Sequence, residues 1–269
     1  MAEVHDETRA RRDMAEVGRL LYERDLLAAK DGNLSLVLGS GRLLTTPAGV
    51  CKGRLAPEDF VVVDSRGVAV SAGSRPPSTE IKMHLAVYPV RPDVRAIVHT
   101  HPPAATAFAV AGVPIDKAAL AEVVYNLGVV PLTDYALPST EKLAQIIGQY
   151  IPYYQALLLS NHGVLAVGAD LWDVYYRLES VEHFARVLLY ARQLGGAKEL
   201  SAEQVRELCD LRRRSGVDTP NPLCDRPEPP SRTTQNRGFP PREVVEAVTR
   251  EVISQLRERF GAGVAHAAR

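Results

Sequence analysis

Apolar and polar positions along this chain follow two periods, and the switches between them lay out its elements. From Asp6 to Leu27 the residues Met14, Val17, Leu20, Leu21 and Leu27 recur at near-helical intervals among charges, which predicts an amphipathic first helix that stops before Asp31-Gly32-Asn33. Leu34 to Leu38 and Leu43 to Thr46 then flank Gly39-Ser40-Gly41, a hairpin pattern that Phe60 to Val63 and Val68 to Val70 repeat around Asp64-Ser65-Arg66-Gly67. Pro77-Ser78-Thr79-Glu80 precedes Ile81, Met83, His84, Leu85 and Val87, so a helix is expected there with Ser78 as N-cap and Glu80 in the first turn. Val94 to Thr100 reads as a buried strand, Ala104 to Val110 as helix, Val129 to Leu132 as strand and Thr140 to Ile151 as helix. Ala156 to Ser160 and Val164 to Val167 form a strand pair around Asn161-His162-Gly163, and helix returns from Leu171 to Leu194 and again from Leu200 to Ser215. Short strands mixed with helices, without a regular βαβ repeat, predict a layered α/β or α+β domain over residues 1–216.

From Val217 to Pro241 the pattern disappears. Seven prolines stand there among polar residues, which predicts an extended linker over 217–240. Beyond it, Val244, Val245, Val248, Val252, Ile253, Leu256 and Phe260 fall on one half of a helical wheel, opposite Glu246, Arg250, Glu251, Ser254, Arg257 and Glu258. An amphipathic helical tail is expected over 241–269.

Composition narrows the function classes. The 269 residues carry 32 Lys and Arg against 32 Asp and Glu, with no clustered basic face, so neither nucleic acid nor an anionic membrane is expected as partner. A small molecule or a protein is the better expectation. No basic segment followed by an apolar run opens the chain, and no stretch reaches the roughly 18 apolar residues of a membrane helix, so a soluble, non-exported protein is expected. Cys51, Cys209 and Cys224 have no short pairing interval; neither a disulfide framework nor a Cys-type zinc site is expected, and a reducing, cytoplasmic compartment fits.

The strongest chemical signal is His99-Thr100-His101 at the end of an apolar strand. Side chains two apart on a strand share a face, so two imidazoles can close on one ion while Thr100 points away. His162, at a turn between two strands, is placed where a third, loop-borne ligand would be, and three neutral imidazoles make a zinc-type site with an open position. The alternative is a pair of partly exposed strand histidines and an ordinary turn residue. Glu80 is the natural carboxylate partner, because a helix's first turn offers free N–H groups and a positive dipole end that also hold an anion. Against this, Pro138-Ser139-Thr140-Glu141 repeats the same pattern, and at least one of the two tetrapeptides is expected to be only a helix cap. Gly32-Asn33 and Gly49 offer backbone amides to an anion at close range.

In order, Gly32-Asn33-Leu34-Ser35, Thr46-Pro47-Ala48-Gly49, Pro77-Ser78-Thr79-Glu80, His99-Thr100-His101 and Asn161-His162-Gly163 resemble the class II aldolase/adducin family, the group of fuculose-phosphate aldolase and ribulose-phosphate epimerase. The resemblance covers roughly Arg9 to Leu200. It implies a three-layer α/β/α domain, a divalent metal that is usually zinc, and commonly a homotetramer with active sites between subunits. It implies His99, His101 and His162 as metal ligands, Glu80 as an acid/base that also ligates the metal when substrate is absent, and Asn33, Gly49, Ser78 and Thr79 as phosphate-binding positions. Two departures stand out. Ala48 replaces the Ser or Thr often found before the glycine of the second motif, removing a hydroxyl donor. The tyrosine that several family aldolases bring from a neighbouring subunit has no clear match; Tyr125 and Glu122 both stand in the corresponding segment, and core packing is the other role open to Tyr125.

The resemblance implies a metal-dependent aldolase that cleaves a ketose 1-phosphate, such as fuculose or rhamnulose 1-phosphate, to dihydroxyacetone phosphate and an aldehyde. A decarboxylase or epimerase of the same superfamily is the alternative. Because a decarboxylase of a hydroxylated acid needs no phosphate cradle, Ser78 and Thr79 favour the aldolase in this reading. An adducin-like scaffold without catalysis would be expected to lack the histidines. The tail behind its Pro-rich tether resembles the encapsulation peptides that carry enzymes into bacterial microcompartments, which implies shell proteins as partners; docking of the tail on its own domain or a sister subunit is the other expectation.

Overall fold

The computed structural model describes residues 6–38, 41–70 and 75–225. The tail helix expected over 241–269, its encapsulation reading, and the linker beyond residue 225 lie outside them. Eight α-helices occur among the described residues: α1 (Glu7–Glu23), α2 (Ile81–Leu85), α3 (Pro103–Ala111), α4 (Ala121–Asn126), α5 (Glu141–Tyr150), α6 (Leu171–Gln193), α7 (Ala202–Arg214) and α8 (Pro222–Asp225). The strands are β1 (Asn33–Val37), β2 (Leu43–Thr45), β3 (Val61–Val63), β4 (Ala96–Thr100), β5 (Ala156–Leu159) and β6 (Gly163–Gly168). They form one sheet in the order β3-β2-β1-β4-β6-β5, with every neighbouring pair antiparallel.

Helices cover both faces, giving the expected three layers. On one face α1, α3 and α6 pack on one another and on the central strands. On the other, α2 and α5 close an apolar cluster in which Met83, Val87, Leu143 and Ile147 meet Ile97, Leu157, Leu165 and Val167. Burial on both faces explains why β4, β5 and β6 read as near-continuous apolar runs. No helix among the described residues is long and apolar enough to cross a membrane.

Local chemistry sets the element ends. Asp6 accepts from Thr8 N–H to start α1, and Asp170 accepts from Trp172 and Asp173 N–H to start α6. The first helix stops at Glu23 and not near Leu27, because Asp25 turns the chain left-handed at φ 58°. Val68 to Val70 and Val129 to Leu132 are not full strands: they make the isolated bridges Val63 to Ala69, Ile115 to Val130 and Leu132 to Leu158.

Three expectations are corrected. Ser78 is not the N-cap of α2. Its N–H donates to Thr46 C=O at 3.0 Å, and Pro47 bridges Pro77, so the chain stays extended beside the end of β2 until Glu80. The helix is then a single turn of five residues with Glu80 at its N-cap position and no side-chain cap bond, which removes the expected helix-end anion site. Cys209 and Cys224 form a disulfide, although 15 residues separate them, because the chain folds back after α7. The same fold-back overturns the linker boundary at 217. Asn221 is 1% exposed and donates to Val124 C=O at 2.8 Å, while Arg212 bonds both the carbonyl and the hydroxyl of Thr219, so residues 217–225 belong to the domain.

Candidate active site

The site begins as a matter of strand register. Asn33 of β1 lies directly opposite His99 of β4, and Ser35 opposite Ile97, so Asn33, Ser35, Ile97 and His99 share one sheet face. That is the face covered by α2, which Glu80 precedes. His101 follows His99 by two residues and stays on its side. His162 arrives from the turn between β5 and β6, held by its N–H donating to Leu159 C=O at 3.0 Å and by Asn161 in the left-handed region at φ 55°. Gly163 leaves room there: a Cβ on it would lie 2.4 Å from His101 Cδ2.

The three rings converge through their Nε2 atoms, 3.0 Å apart between His101 and His99 and 3.2 Å apart between His99 and His162. Such distances between ring nitrogens suit lone pairs aimed at one shared cation. The His99 Nδ1 lies 2.9 Å from Val164 C=O, which fixes its proton on Nδ1 and leaves Nε2 as an acceptor. The Asp31 carboxylate stands 3.6 Å from His101 Nδ1. Burial pushes His99 well below its ordinary pKa, reinforced by the neighbouring imidazoles, and burial lowers His101 and His162 as well. All three are thereby kept neutral, as metal ligands must be. His99, His101 and His162 each offer one ligand atom, all within 4.8 Å of one another, a donor set that fits a divalent cation.

Glu80 closes the ring of donors. Its Oε1 is 3.5 Å from His162 Nε2 and its Oε2 is 3.6 Å from His99 Nε2. Oε2 also accepts from Asn33 Nδ2 at 2.8 Å, whereas Oε1 is buried with no hydrogen-bond partner among the described residues. Burial raises the Glu80 pKa, with the Asn33 hydrogen bond opposing that rise, so the carboxyl can carry a proton at higher pH than an exposed one.

One cavity of roughly 330 Å³ joins these groups to the rest of the motifs: Asn33, Ala48, Gly49, Ser78, Thr79, Glu80, His101 and His162 all line it. His99 lies fully buried behind them. Tyr125 and Glu122, on α4, do not line this cavity of their own chain. The Tyr125 carbonyl instead accepts from Arg212 Nε, which anchors α4 to α7. Lys30, Asp31 and Lys52 line the cavity from outside the motifs, and Ser139 lines it from a tetrapeptide read only as a helix cap. Asp31 precedes Gly32-Asn33 and Lys52 follows Gly49 by three, so proximity to a motif was the available signal. The second tetrapeptide divides its labour: Thr140 caps α5, and Ser139 donates its hydroxyl to Thr79 Oγ1 at 3.0 Å.

Comparison with known proteins places the same segments together. The profile of the family described as class II aldolase and adducin N-terminal domain matches residues 12–189. The chain is 33% identical over 213 residues to 3-oxo-tetronate 4-phosphate decarboxylase of Pectobacterium atrosepticum, covering 77% of this chain and 95% of that protein. It is 28% identical to L-fuculose phosphate aldolase of Methanococcus maripaludis, over 65% of this chain and 93% of that one. Among solved structures, YgbL from Klebsiella pneumoniae superimposes with a TM-score of 0.70 at 33% identity, covering 75% of this chain and 98% of that one.

Proposed function

The chain belongs to the class II aldolase and adducin family, and we propose that it is a metal-dependent decarboxylase of a phosphorylated 3-oxo acid of the 3-oxo-tetronate 4-phosphate type. The observation that carries this reading is the single cavity in which Glu80 and cation-binding imidazoles adjoin the amide and hydroxyl donors of Asn33, Gly49, Ser78 and Thr79. The resemblance to a relative whose name states that chemistry, over 95% of its length, supports carbon dioxide as the leaving group. It also removes the argument that a phosphate cradle favours an aldolase, since that relative's named substrate is itself a phosphate ester.

In such a substrate the bond from the carboxylate carbon to C2 breaks, its electron pair moves toward the C3 carbonyl, carbon dioxide departs, and a proton must be delivered to C2. The organic product is dihydroxyacetone phosphate. A divalent cation, with zinc as the first candidate, supplies the Lewis-acid charge that a ketone oxygen needs as it takes up an electron pair. The chain's own residues do the rest. Asn33, Gly49, Ser78 and Thr79 hold the phosphate, and Glu80, whose pKa burial raises, is the carboxyl assigned to deliver a proton to C2. Asn33 orients that carboxyl through its 2.8 Å bond.

A second reading, cleavage of a ketose 1-phosphate to dihydroxyacetone phosphate and an aldehyde, is supported by the fuculose phosphate aldolase relatives. Both reactions leave an electron pair on a carbon next to the same ketone, so only the departing group differs. An aldehyde can depart only if a base takes the proton of its hydroxyl. A carboxylate needs no such step. Supplying the metal-loaded protein separately with a 3-oxo-tetronate 4-phosphate and with fuculose and rhamnulose 1-phosphates, and assaying dihydroxyacetone phosphate, tests the choice. Faster release from the 3-oxo acid is expected; faster release from a ketose phosphate would establish the second reading.

A further inference from the structure

The cavity that this reading assigns to a phosphorylated acid is lined by two carboxylates, Asp31 and Glu80, which oppose an incoming dianion. The donors so far given to the phosphate are neutral. We infer that Lys52 supplies the missing charge: its ammonium binds the phosphate group of the substrate, beside Gly49, Ser78 and Thr79.

Lys52 is only 5% exposed, yet it lines this cavity. It opens a 3-10 turn, Lys52–Arg54, which packs on α1 closely enough that a Cβ on Gly18 would stand 2.7 Å from the Lys52 carbonyl. The main chain at Lys52 is therefore held against α1. Among the described residues the ammonium makes one hydrogen bond, to Lys30 C=O. An ammonium carries three N–H donors, so two remain for a ligand. Burying an ammonium is costly unless other groups compensate it, and the charges of Asp31 and Glu80 do so only in part, leaving two of its donors unfilled. A residue whose sole task was to hold the Lys30 carbonyl could do so as a neutral donor without that cost. Burial lowers the Lys52 pKa, and the charges of Asp31, Cys51 and Glu80 oppose that shift without reversing it. Lys30 also lines the cavity but is exposed, where water screens its charge.

Because the inference rests on the proposed phosphorylated substrate, its test uses inorganic phosphate as the probe and does not depend on which reaction is catalysed. Phosphate binding to the metal-loaded full chain is measured by titration calorimetry for wild type, Lys52→Gln and Lys52→Arg, with metal content and circular dichroism as controls of folding. Lys52→Gln is expected to weaken phosphate binding tenfold or more, and Lys52→Arg to restore a good part of it. For the phosphorylated substrate, KM should rise in Lys52→Gln with kcat changed less than about threefold. Wild-type affinity for phosphate in folded Lys52→Gln would overturn the inference. Should neither variant fold, the lysine ¹⁵Nζ resonances of the wild-type protein decide: one of them shifting on phosphate addition supports the assignment, and no shift overturns it. A wild-type protein that binds phosphate through Lys52 but releases no carbon dioxide from the 3-oxo acid would overturn the decarboxylase reading and leave this assignment standing.

Discussion

Asn33 donates its side-chain amide to Glu80 Oε2 at 2.8 Å, joining the start of a central strand to the residue that precedes a one-turn helix 47 positions later. Both lie beside His99, Asn33 through strand pairing and Glu80 through a 3.6 Å approach to the ring. The bond sets which carboxylate oxygen is engaged and which faces His162. It holds the Glu80 carboxyl in place beside the three histidines.

Replacing Glu80 by Gln keeps the size of the side chain and removes its titrating proton. Turnover should fall by about 10²-fold or more while metal content and the thermal midpoint stay close to wild type. Steady-state kinetics with parallel metal analysis checks this. Near-normal turnover would reduce Glu80 to a residue that shapes the turn before α2.

Gly32 sits at φ 73°, and a Cβ there would lie 2.6 Å from the His99 carbonyl and 2.3 Å from Leu27 Cδ2. Gly32→Ala must therefore strain the loop and push on the main chain of a metal ligand. A stability loss of more than about 1 kcal/mol is expected, together with reduced metal occupancy. Urea unfolding and metal analysis of the purified variant would show both, and a variant with full stability would contradict the close approach.

How far the sequence reveals this arrangement depends on the range of the interactions involved. His99, His101 and His162 are legible because a strand end and a turn are local patterns, whereas the three layers follow from the family resemblance, the pattern of short strands and helices by itself predicting only a layered α/β or α+β domain. The pairing of Asn33 with His99 depends on a register between strands more than 60 residues apart, which no local pattern encodes. The start of α2 is hidden for the same reason, since Thr46 holds Ser78 extended from another part of the chain. Residues 217–225 have the composition of a linker; what docks them is Asn221, Thr219 and Cys224 meeting partners on α4 and α7. Lys52 escapes notice because a lysine in a surface-like sequence gives no sign that packing against α1 will bury it.

His84 predicts the acid limit of stability. It is fully buried, its Nδ1 lies 2.7 Å from Ser35 Oγ, and burial pushes its pKa down to about 3. In the unfolded chain the same imidazole titrates near 6.5, so between these values the unfolded state binds a proton that the folded state does not. Stability is full above about pH 6.5 and is lost as pH falls toward 3, by up to about 1.4 kcal/mol per pH unit from this residue. Urea midpoints between pH 7 and 4 should fall more steeply for wild type than for His84→Gln. Equal slopes would show that His84 is protonated in the folded protein.

The tail carries a separate expectation, from its sequence pattern alone. Seven large apolar residues recur at helical spacing after a proline-rich stretch, a sequence pattern that suits a partner outside the domain. Deleting Gly238 to Arg269 should leave the domain folded and active but abolish association with microcompartment shell proteins in a co-assembly assay. Loss of activity or of oligomeric state on truncation would instead make the tail part of the enzyme's own structure.

The most direct measurement of the central claim follows carbon 1. A 3-oxo-tetronate 4-phosphate labelled with ¹³C at its carboxylate is supplied to the metal-loaded protein, and labelled carbon dioxide and dihydroxyacetone phosphate are quantified together. Equal amounts of the two are expected, with neither formed after chelation or in His99→Ala, where one of the three imidazoles is lost. Intact labelled substrate in the presence of bound metal, or product formation that survives the loss of His99, would contradict the account.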